Sequence, residues 1–220
     1  MIRLVIFDWN GTLIADTAQC WKADNLILKT FGGKPINLQT FRKTFEVPVI
    51  NFYIQHGCDK KRLLREAEQV GKTFHPYYER LARHCQLRAG AKTLLKLLKK
   101  RNIESTIISN HTINGIDSQL KRLGIQKYFT TLLANSTLDT AVIKQNKTEK
   151  LKKFLIKHKY KQNETLVIGD TAEEIKMARA VGAIGCAIAG GYQSRDRLVQ
   201  TKPNYLVTNL TEVIKIVSHL

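Results

Sequence analysis

Residues 4 to 13 read Leu-Val-Ile-Phe-Asp-Trp-Asn-Gly-Thr-Leu. The apolar run lies within the segment 2–7 and is typical of a short strand that is buried on both faces, as in a parallel sheet. Asp8 follows directly, and the turn from Trp9 to Gly11 offers backbone N–H groups beside its carboxylate. The stretch therefore predicts a buried parallel strand with a polar site at its carboxyl end.

Similar short runs recur later in the chain and alternate with segments of helical spacing. Residues 105–109 and 165–168 are β-branched and end in polar or glycine-containing turns. Weaker strand candidates are residues 128–133, 183–188 and 205–207, with a terminal helix over 211–218. Alternating strands and helices predict an α/β fold, a doubly wound parallel sheet with helices on both faces.

The segment after the first strand breaks this alternation. Residues 16–86 contain no convincing strand, and their helix-compatible stretches are interrupted at residues 32–35 and 46–48, which contain glycine or proline. Asp16 and Thr17 are expected to cap the first of these helices. We therefore predict an α/β core of residues 1–15 and 87–220, with residues 16–86 inserted as a helical cap.

The composition is that of a folded protein with one core. The chain has 220 residues, 43% hydrophobic and 25% charged, which is enough to bury a core. No apolar run approaches the ~20 residues that span a bilayer, and the first residues do not resemble a signal peptide, so we expect a cytoplasmic protein without a membrane partner. The four cysteines have no metal-site or disulfide spacing and are expected to be reduced.

The chain is strongly basic, with a formal net charge of +18, and such a field attracts anions. Lysine and arginine are dense over residues 88–101 and 144–161, where a nucleic-acid surface is one interpretation. The apolar residues inside both runs keep helical spacing, which favours solvated outer helix faces instead. Nucleic acid is therefore an unlikely partner, and the sequence carries no signal of oligomeric state.

Four polar pieces follow the predicted core elements in order. Asp8 ends the first strand, Ser109-Asn110 ends the second, Lys147 opens a helix, and Gly169-Asp170 ends a later strand with Glu174 four residues on. A carboxylate, a hydroxyl and a cation at one sheet edge suit phosphoryl chemistry. Carboxylates such as those of Asp8 and Asp170 are the hard oxygen ligands that Mg²⁺ prefers.

Together these pieces resemble the haloacid dehalogenase-like superfamily, in its phosphoglycolate phosphatase-like branch with a helical cap. The resemblance implies a Mg²⁺-dependent phosphatase acting on a small phosphorylated metabolite. It implies that Asp8 attacks phosphorus, that Ser109 and Lys147 hold the phosphoryl oxygens, and that late acids hold the metal. The implied catalytic residues are Asp8, Asn10, Ser109 and Lys147; the implied substrate contacts are Trp9, Gly11, Thr12, Ser109, Asn110 and Lys147; the implied metal ligands are Asp8, Asn10, Asp170 and Glu174.

The sequence departs from the family pattern at two positions. Glu174 replaces an aspartate, and its longer carboxylate still reaches a metal or its water. Asn10 replaces the aspartate that protonates the leaving oxygen and activates water in the family, and an amide does neither at neutral pH. Its backbone carbonyl, the metal contact in the family, is retained. We therefore expect an intact fold and Mg²⁺ site, with turnover that is slow, is assisted by another group or is directed to a good leaving group.

Several alternatives stay open at this point. Lys144 competes with Lys147 for the role of the phosphoryl-binding cation, and His111 is a weak candidate for assisting the chemistry. Besides a phosphatase, the residues fit a phosphotransferase or another hydrolase of the same superfamily. They also fit a catalytically degenerate, basic binding protein.

Overall fold

The computed structural model describes residues 1–136 and 146–220. Within them, parallel strands form one sheet in the order β3-β2-β1-β4-β5-β6. The strands are β1 (Leu4–Phe7), β2 (Glu104–Thr112), β3 (Thr131–Asn135), β4 (Thr165–Gly169), β5 (Ile184–Ile188) and β6 (Tyr205–Val207). The order reverses direction at β1, which confirms the predicted doubly wound sheet.

Helices cover both faces of this sheet. The helices of the described residues are α1 (Thr17–Thr30), α2 (Leu38–Thr44), α3 (Val49–Gln55), α4 (Lys60–Arg65), α5 (Ala67–Ala82), α6 (Ala91–Lys100), α7 (Ile113–Leu123), α8 (Lys147–Lys157), α9 (Ala172–Ala180), α10 (Arg195–Gln200) and α11 (Leu210–His219). Of these, α6–α9 and α11 pack on the strands. Leu4 and Ile6 of β1 belong to a core with α8 and α9. Val5 and Phe7 belong to the opposite core, with α6, α7 and α11. The continuous apolar run of β1 thus reflects burial on both faces.

Residues between β1 and α6 fold into the helices α1–α5, as the lack of strand patterns predicted. The outgoing and returning chain segments lie side by side, because the Ala15 N–H donates to the Gln86 carbonyl at 2.9 Å and the Arg88 N–H donates to the Leu13 carbonyl at 2.9 Å. Residues 32–35 and 46–48 lie between helices, where the glycine and proline breaks were expected.

Two strands differ from their predicted ranges. β2 continues past Ser109 to Thr112, and its register with β3 shifts between Ile108 and Thr112. β3 begins at Thr131 rather than at residue 128, because residues 126–128 form a short 3₁₀ turn. At β2, polar residues continue the strand past the apolar run, whereas at β3 the aromatic residues Tyr128 and Phe129 extend the apolar run ahead of the strand.

The four lysines of α6 are exposed, as are Lys152, Lys153 and Lys157 of α8, so most of this positive charge faces solvent. The four cysteines are free and buried. Within residues 1–136 and 146–220, none of the helices has the length and apolar character needed to cross a membrane.

Candidate active site

The polar pieces meet at the carboxyl edge of the sheet, beside a cavity of about 140 Å³. β1 presents Asp8, β2 presents Ser109 and Asn110, and the start of α8 presents Lys147. The cavity continues from this edge to side chains of α1, α3 and α5. It therefore has one wall from the sheet and one from the inserted helices.

Lys147 is the first residue of α8 and is only 4% exposed. Its Nζ lies 2.8 Å from Asp8 Oδ1, 2.6 Å from Glu174 Oε1 and 3.0 Å from Glu173 Oε2. Burial alone would lower the pKa of Lys147, but the three carboxylates hold it well above its usual value. The site therefore contains a permanently charged ammonium group.

Asp8 is almost completely buried. Burial raises its pKa well above the usual value, and the neighbouring Glu174 and Asp170 carboxylates raise it further, whereas Lys147 acts in the opposite direction. A buried carboxylate that is crowded by others is stabilised by any additional cation or by the loss of a neighbouring charge. The surroundings of Asp8 thus favour the arrival of positive charge.

Asp170 follows β4 and accepts hydrogen bonds from Thr12 Oγ1 at 2.9 Å and from the Tyr192 N–H at 2.6 Å. Burial, reinforced by Glu174, raises its pKa to about 7. Gly11 lies against this carboxylate with a φ of +72°, and a Cβ there would collide with Asp170 Oδ2. The turn after β1 therefore needs glycine for two reasons, its left-handed backbone and its close approach to Asp170.

Asn10 is held by a buried carboxylate that lies outside the four sequence motifs. Its Nδ2 donates to Asp16 Oδ2 at 2.8 Å and to the Tyr78 hydroxyl at 2.7 Å. Asp16 Oδ2 also accepts from the hydroxyls of Tyr78 and Tyr192, and its Oδ1 accepts from the Gly11 N–H at 2.7 Å. Asp16 occupies the N-cap position of α1, but its side chain makes no capping hydrogen bond. The expectation that this side chain caps the helix is therefore wrong.

Ser109 and Asn110 both line the cavity. Ser109 Oγ accepts a hydrogen bond from the His111 N–H at 3.1 Å. Asn110 Nδ2 donates to Glu173 Oε2 at 2.9 Å, whereas Asn110 Oδ1 and Glu173 Oε1 are buried without a partner among the described residues. Two oxygen atoms are thus available for a ligand beside Lys147.

Both carboxylate oxygens of Glu174 have partners within the protein. Its Oε1 contacts Lys147, and its Oε2 accepts from the Thr171 hydroxyl at 2.6 Å, closing a capping box at the start of α9. Burial would raise the pKa of Glu174, but Lys147 outweighs it and the pKa lies below the usual value. The structure thus makes Glu174 a partner of Lys147, and a metal contact for this residue stays a prediction.

Three predicted substrate contacts have structural partners of their own. The Trp9 indole is buried and its Nε1 donates to Gln119 Oε1 at 2.8 Å. The Gly11 N–H is bonded to Asp16, and the Thr12 hydroxyl to Asp170. None of the three borders the cavity in the described part of the chain, so contact with a substrate through these residues stays a prediction.

Within residues 1–136 and 146–220, no group of three acidic, histidine or cysteine side chains is arranged around a metal position. The chemistry of the donor set nevertheless suits a divalent cation. Asp8 and Asp170 are buried carboxylates, each with a raised pKa, and Glu173 Oε1 is an unpartnered oxygen in the same region. A hard cation would relieve the repulsion between these carboxylates.

Of the two rival candidates for the chemistry, His111 and Lys144, the structure describes His111. His111 lines the cavity, and its Nδ1 accepts from the Thr112 N–H at 2.6 Å. Its Nε2 lies 2.9 Å from Glu79 Oε1 but makes no hydrogen bond of good geometry among the described residues. Lys144 lies outside the described residues. Of the two lysines, the structure therefore describes Lys147 alone.

Sequence reasoning missed Glu173, Tyr78 and Tyr192 as parts of this region. Glu173 could have been found from the motif, because it is adjacent to Glu174 and equally acidic. The tyrosines carry no local signal, since they reach Asp16 from 62 and 176 residues away along the chain.

The sequence matches the family profile for haloacid dehalogenase-like hydrolases over residues 5–188. The chain belongs to this family. The match confirms the resemblance drawn from the motifs and the expectation of a hydrolytic enzyme. In this family context, the four motif pieces at the edge of the sheet form the candidate active site.

Several relatives of this hydrolase are known. A phosphoglycolate phosphatase of Synechococcus elongatus is 22% identical over 219 residues, which cover 100% of this chain and 99% of the relative. A putative pyrophosphatase, PpaX, of Caldanaerobacter subterraneus is 25% identical over 98% of this chain and 94% of its own. Among solved structures, a haloacid dehalogenase-like hydrolase from Streptococcus pneumoniae superposes with a TM-score of 0.80 at 21% identity, with 98% of each chain covered. This similarity shows the shared fold.

Proposed function

We propose that this hydrolase is a phosphatase that cleaves a small phosphate monoester through an acyl phosphate on Asp8. The observation that carries the proposal is the buried contact of 2.8 Å between Lys147 Nζ and Asp8 Oδ1 at the edge of the cavity. Relatives named phosphoglycolate phosphatase, and a solved CbbY variant from Rhodobacter sphaeroides bound to xylulose 1,5-bisphosphate, support a phosphorylated substrate.

In the first step, the Asp8 carboxylate oxygen that is not bonded to Lys147 attacks phosphorus. The bond from phosphorus to the substrate oxygen breaks, and its electron pair leaves with the alcohol oxygen, which must then gain a proton. Lys147 orients the nucleophile and offsets the charge that develops on the phosphoryl oxygens. Ser109 and Asn110 contribute a hydroxyl and an amide on the same wall of the cavity.

In the second step, water attacks the acyl phosphate. The bond between phosphorus and the Asp8 oxygen breaks, which restores the carboxylate and yields inorganic phosphate and a proton. Asn10 neither donates the first proton nor accepts the second, because an amide is neutral and non-basic at pH 7. Loss of such a group costs a factor of ~10²–10⁴ in rate, so the acyl phosphate is expected to be long-lived.

Mg²⁺ is the proposed cofactor. The residues that would hold it are Asp8, Asp170 and the backbone carbonyl of Asn10, with Glu174 reaching the ion directly or through a water molecule. When bound, the ion neutralises charge on the phosphoryl group. The support is that Asp8 and Asp170 are buried carboxylates whose pKa values are raised by burial and by neighbouring carboxylates, together with the unpartnered Glu173 oxygen.

We further propose that residues 16–86 act as the cap and residues 1–15 and 87–220 as the catalytic core. The support is that α1, α3 and α5 supply one wall of the cavity, while the chain leaves and re-enters the core at neighbouring positions. The cap then selects the small phosphorylated metabolite. The cytoplasmic location stays a prediction.

The experiment is phosphate release from a chromogenic aryl phosphate with Mg²⁺ and with a chelator, combined with acid precipitation of the protein. Turnover that is lost with chelator supports the phosphatase. A stable acid-precipitable phosphoprotein without phosphate release favours a phosphotransferase, and the absence of both favours a binding protein.

A further inference from the structure

The wall of the cavity that the inserted helices supply is largely apolar. Its apolar members, from α5 and from residues 45–49, are Phe45, Val47, Val49, Val70 and Phe74. The cavity of about 140 Å³ also borders Asp8 and Lys147, so the same space has to hold the phosphoryl group as well. The part of a substrate that lies beyond the phosphoryl group is therefore compact and apolar over most of its surface.

One carboxyl group interrupts this apolar wall. Asp24 on α1 is 1% exposed and borders the cavity. Its Oδ1 accepts from the Tyr53 hydroxyl at 2.7 Å, and its Oδ2 accepts from Cys20 Sγ at 3.3 Å. Each carboxylate oxygen has two lone pairs, so each of these oxygens retains the capacity to accept another hydrogen bond.

Within residues 1–136 and 146–220, no lysine or arginine on the helical wall of the cavity opposes Asp24. Among the described lining residues, the lysine and arginine groups are represented by Lys147 alone, which is already paired with Asp8. On the helical wall, His75 is a basic side chain that borders the cavity. Burial together with His111 lowers the pKa of His75 to about 4, so its imidazole is neutral. The net charge of +18 is thus carried elsewhere on the molecule.

These features select against a negatively charged leaving group. Burial raises the pKa of Asp24 to about 7, so the binding test is run above pH 7, where Asp24 is ionised. A ligand carboxylate buried beside it would then meet a like charge in surroundings of low dielectric constant, with no compensating cation among the described lining residues. A hydroxyl or an ammonium group would instead donate to the Asp24 oxygens. Phosphoglycolate, which appears in the names of several relatives, ends in a carboxylate and has the disfavoured chemistry.

We propose that the alcohol released from the substrate is compact and apolar, carries no negative charge, and donates a hydrogen bond to Asp24. This inference rests on the proposed phosphatase function and specifies its substrate class. Asp24 is a specificity residue in it, at the end of the cavity that the inserted helices enclose.

The test is calorimetric binding, with Mg²⁺ present, of three matched phosphonates that the enzyme cannot hydrolyse. They are benzylphosphonate, its 4-aminomethyl derivative and its 4-carboxy derivative. The 4-carboxy ligand is expected to bind at least about tenfold more weakly than the unsubstituted one, and the 4-aminomethyl ligand more tightly. A 4-carboxy ligand that binds as tightly as the others, or the failure of all three to bind, overturns the proposal.

Two variants test whether Asp24 causes the difference in affinity among the three phosphonates. In Asp24→Asn the three affinities are expected to converge, whereas Asp59→Asn, which changes an exposed acid of the same helical segment outside the cavity, preserves the wild-type order. An unchanged order in Asp24→Asn removes Asp24 from the proposal. The comparison of the three phosphonates in the wild-type protein tests the proposal even where a variant does not fold.

Turnover of the corresponding benzyl phosphates separates the two proposals. Binding that discriminates among the phosphonates without any release of phosphate contradicts the phosphatase function alone. Release of phosphate with the 4-carboxy ester as the best substrate contradicts only the inference about the leaving group.

Discussion

Nδ2 of Asn10 donates a hydrogen bond to Oδ2 of the buried Asp16 carboxylate across 2.8 Å. The same Asp16 oxygen accepts from the hydroxyls of Tyr78 and Tyr192. The amide at position 10 is therefore fixed by a dedicated acceptor rather than left as a poor substitute for a carboxylate. This contact determines what happens when a carboxylate is introduced there.

Asn10→Asp is expected to raise the turnover of a poor alkyl phosphate by ~10²-fold or more, because it supplies the missing acid and base. The new carboxyl would lie against Asp16, and two carboxyl groups that share a site raise the pKa of one of them. Such a group keeps its proton near neutral pH, as a general acid must. Steady-state rates and their pH dependence measure both effects.

The matched comparison for Asn10→Asp is an aryl phosphate, whose leaving group needs less protonation. Its gain is expected to be smaller unless hydrolysis of the acyl phosphate limits both substrates. Unchanged or lower rates for both esters would mean that Asn10 is suited to a different reaction or that another group supplies the proton.

Lys147→Met is expected to abolish turnover and to lower the free energy of unfolding by ~3–5 kcal/mol, since it leaves three buried carboxylates without their cation. The control is Lys152→Met on the exposed side of the same helix, for which no comparable loss is expected. Denaturant unfolding and phosphate release measure the two quantities. Loss of activity in Lys144→Met but not in Lys147→Met would transfer the role to Lys144.

Asp170→Ala is expected to raise the Mg²⁺ concentration required for activity and to weaken Mg²⁺ binding in calorimetry, because it removes a hard oxygen ligand. It also leaves the Thr12 hydroxyl and the Tyr192 N–H without their acceptor. Asp117→Ala removes a carboxylate from α7, away from the cavity, and serves as the control. A Mg²⁺ titration that coincides with that of the wild type would place the metal elsewhere.

Asp24 should make stability depend on pH. Burial raises its pKa to about 7, so between the unfolded value of ~3.9 and about 7 the folded chain binds more protons at this group than the unfolded chain. Its contribution therefore lowers the free energy of unfolding as pH rises through this window.

Asp24→Asn removes this dependence. Relative to the wild type, the variant should gain stability from pH 4 to pH 8 by an amount on the order of a few kcal/mol. Urea unfolding of both proteins across the window measures the difference. A constant difference at every pH would show that Asp24 titrates normally in the folded state.

Much of the core could be read from the sequence, because strands buried on both faces appear as continuous apolar runs. β1, β4 and β6 follow such runs closely. The end of β2 did not, since Asn110, His111 and Thr112 are polar residues that continue the strand past a register shift. The inserted helices were recognised mainly by what their sequence lacked.

The candidate site was predictable where residues follow strands and unpredictable where they depend on distant contacts. Asp8 and Asp170 stand directly after apolar runs, so their meeting at one edge follows from the topology of the sheet. The environment of Asp16 depends on hydroxyl groups from α5 and from the chain after β5, and no local pattern records such contacts. Because Asp16 directly precedes α1, its side chain was expected to cap that helix instead.

Asp8 is the residue proposed to become covalently phosphorylated, and Asn10 is proposed to delay release of the phosphoryl group. The most direct measurement is acid quenching of the protein after incubation with a ³²P-labelled aryl phosphate and Mg²⁺, followed by peptide mapping of the label. We expect label on Asp8 in the wild type, less accumulation in Asn10→Asp, and none in Asp8→Asn, whose fold should be intact because the amide is nearly isosteric. Phosphate release by Asp8→Asn at more than a small fraction of the wild-type rate, or label on another residue, would contradict the account.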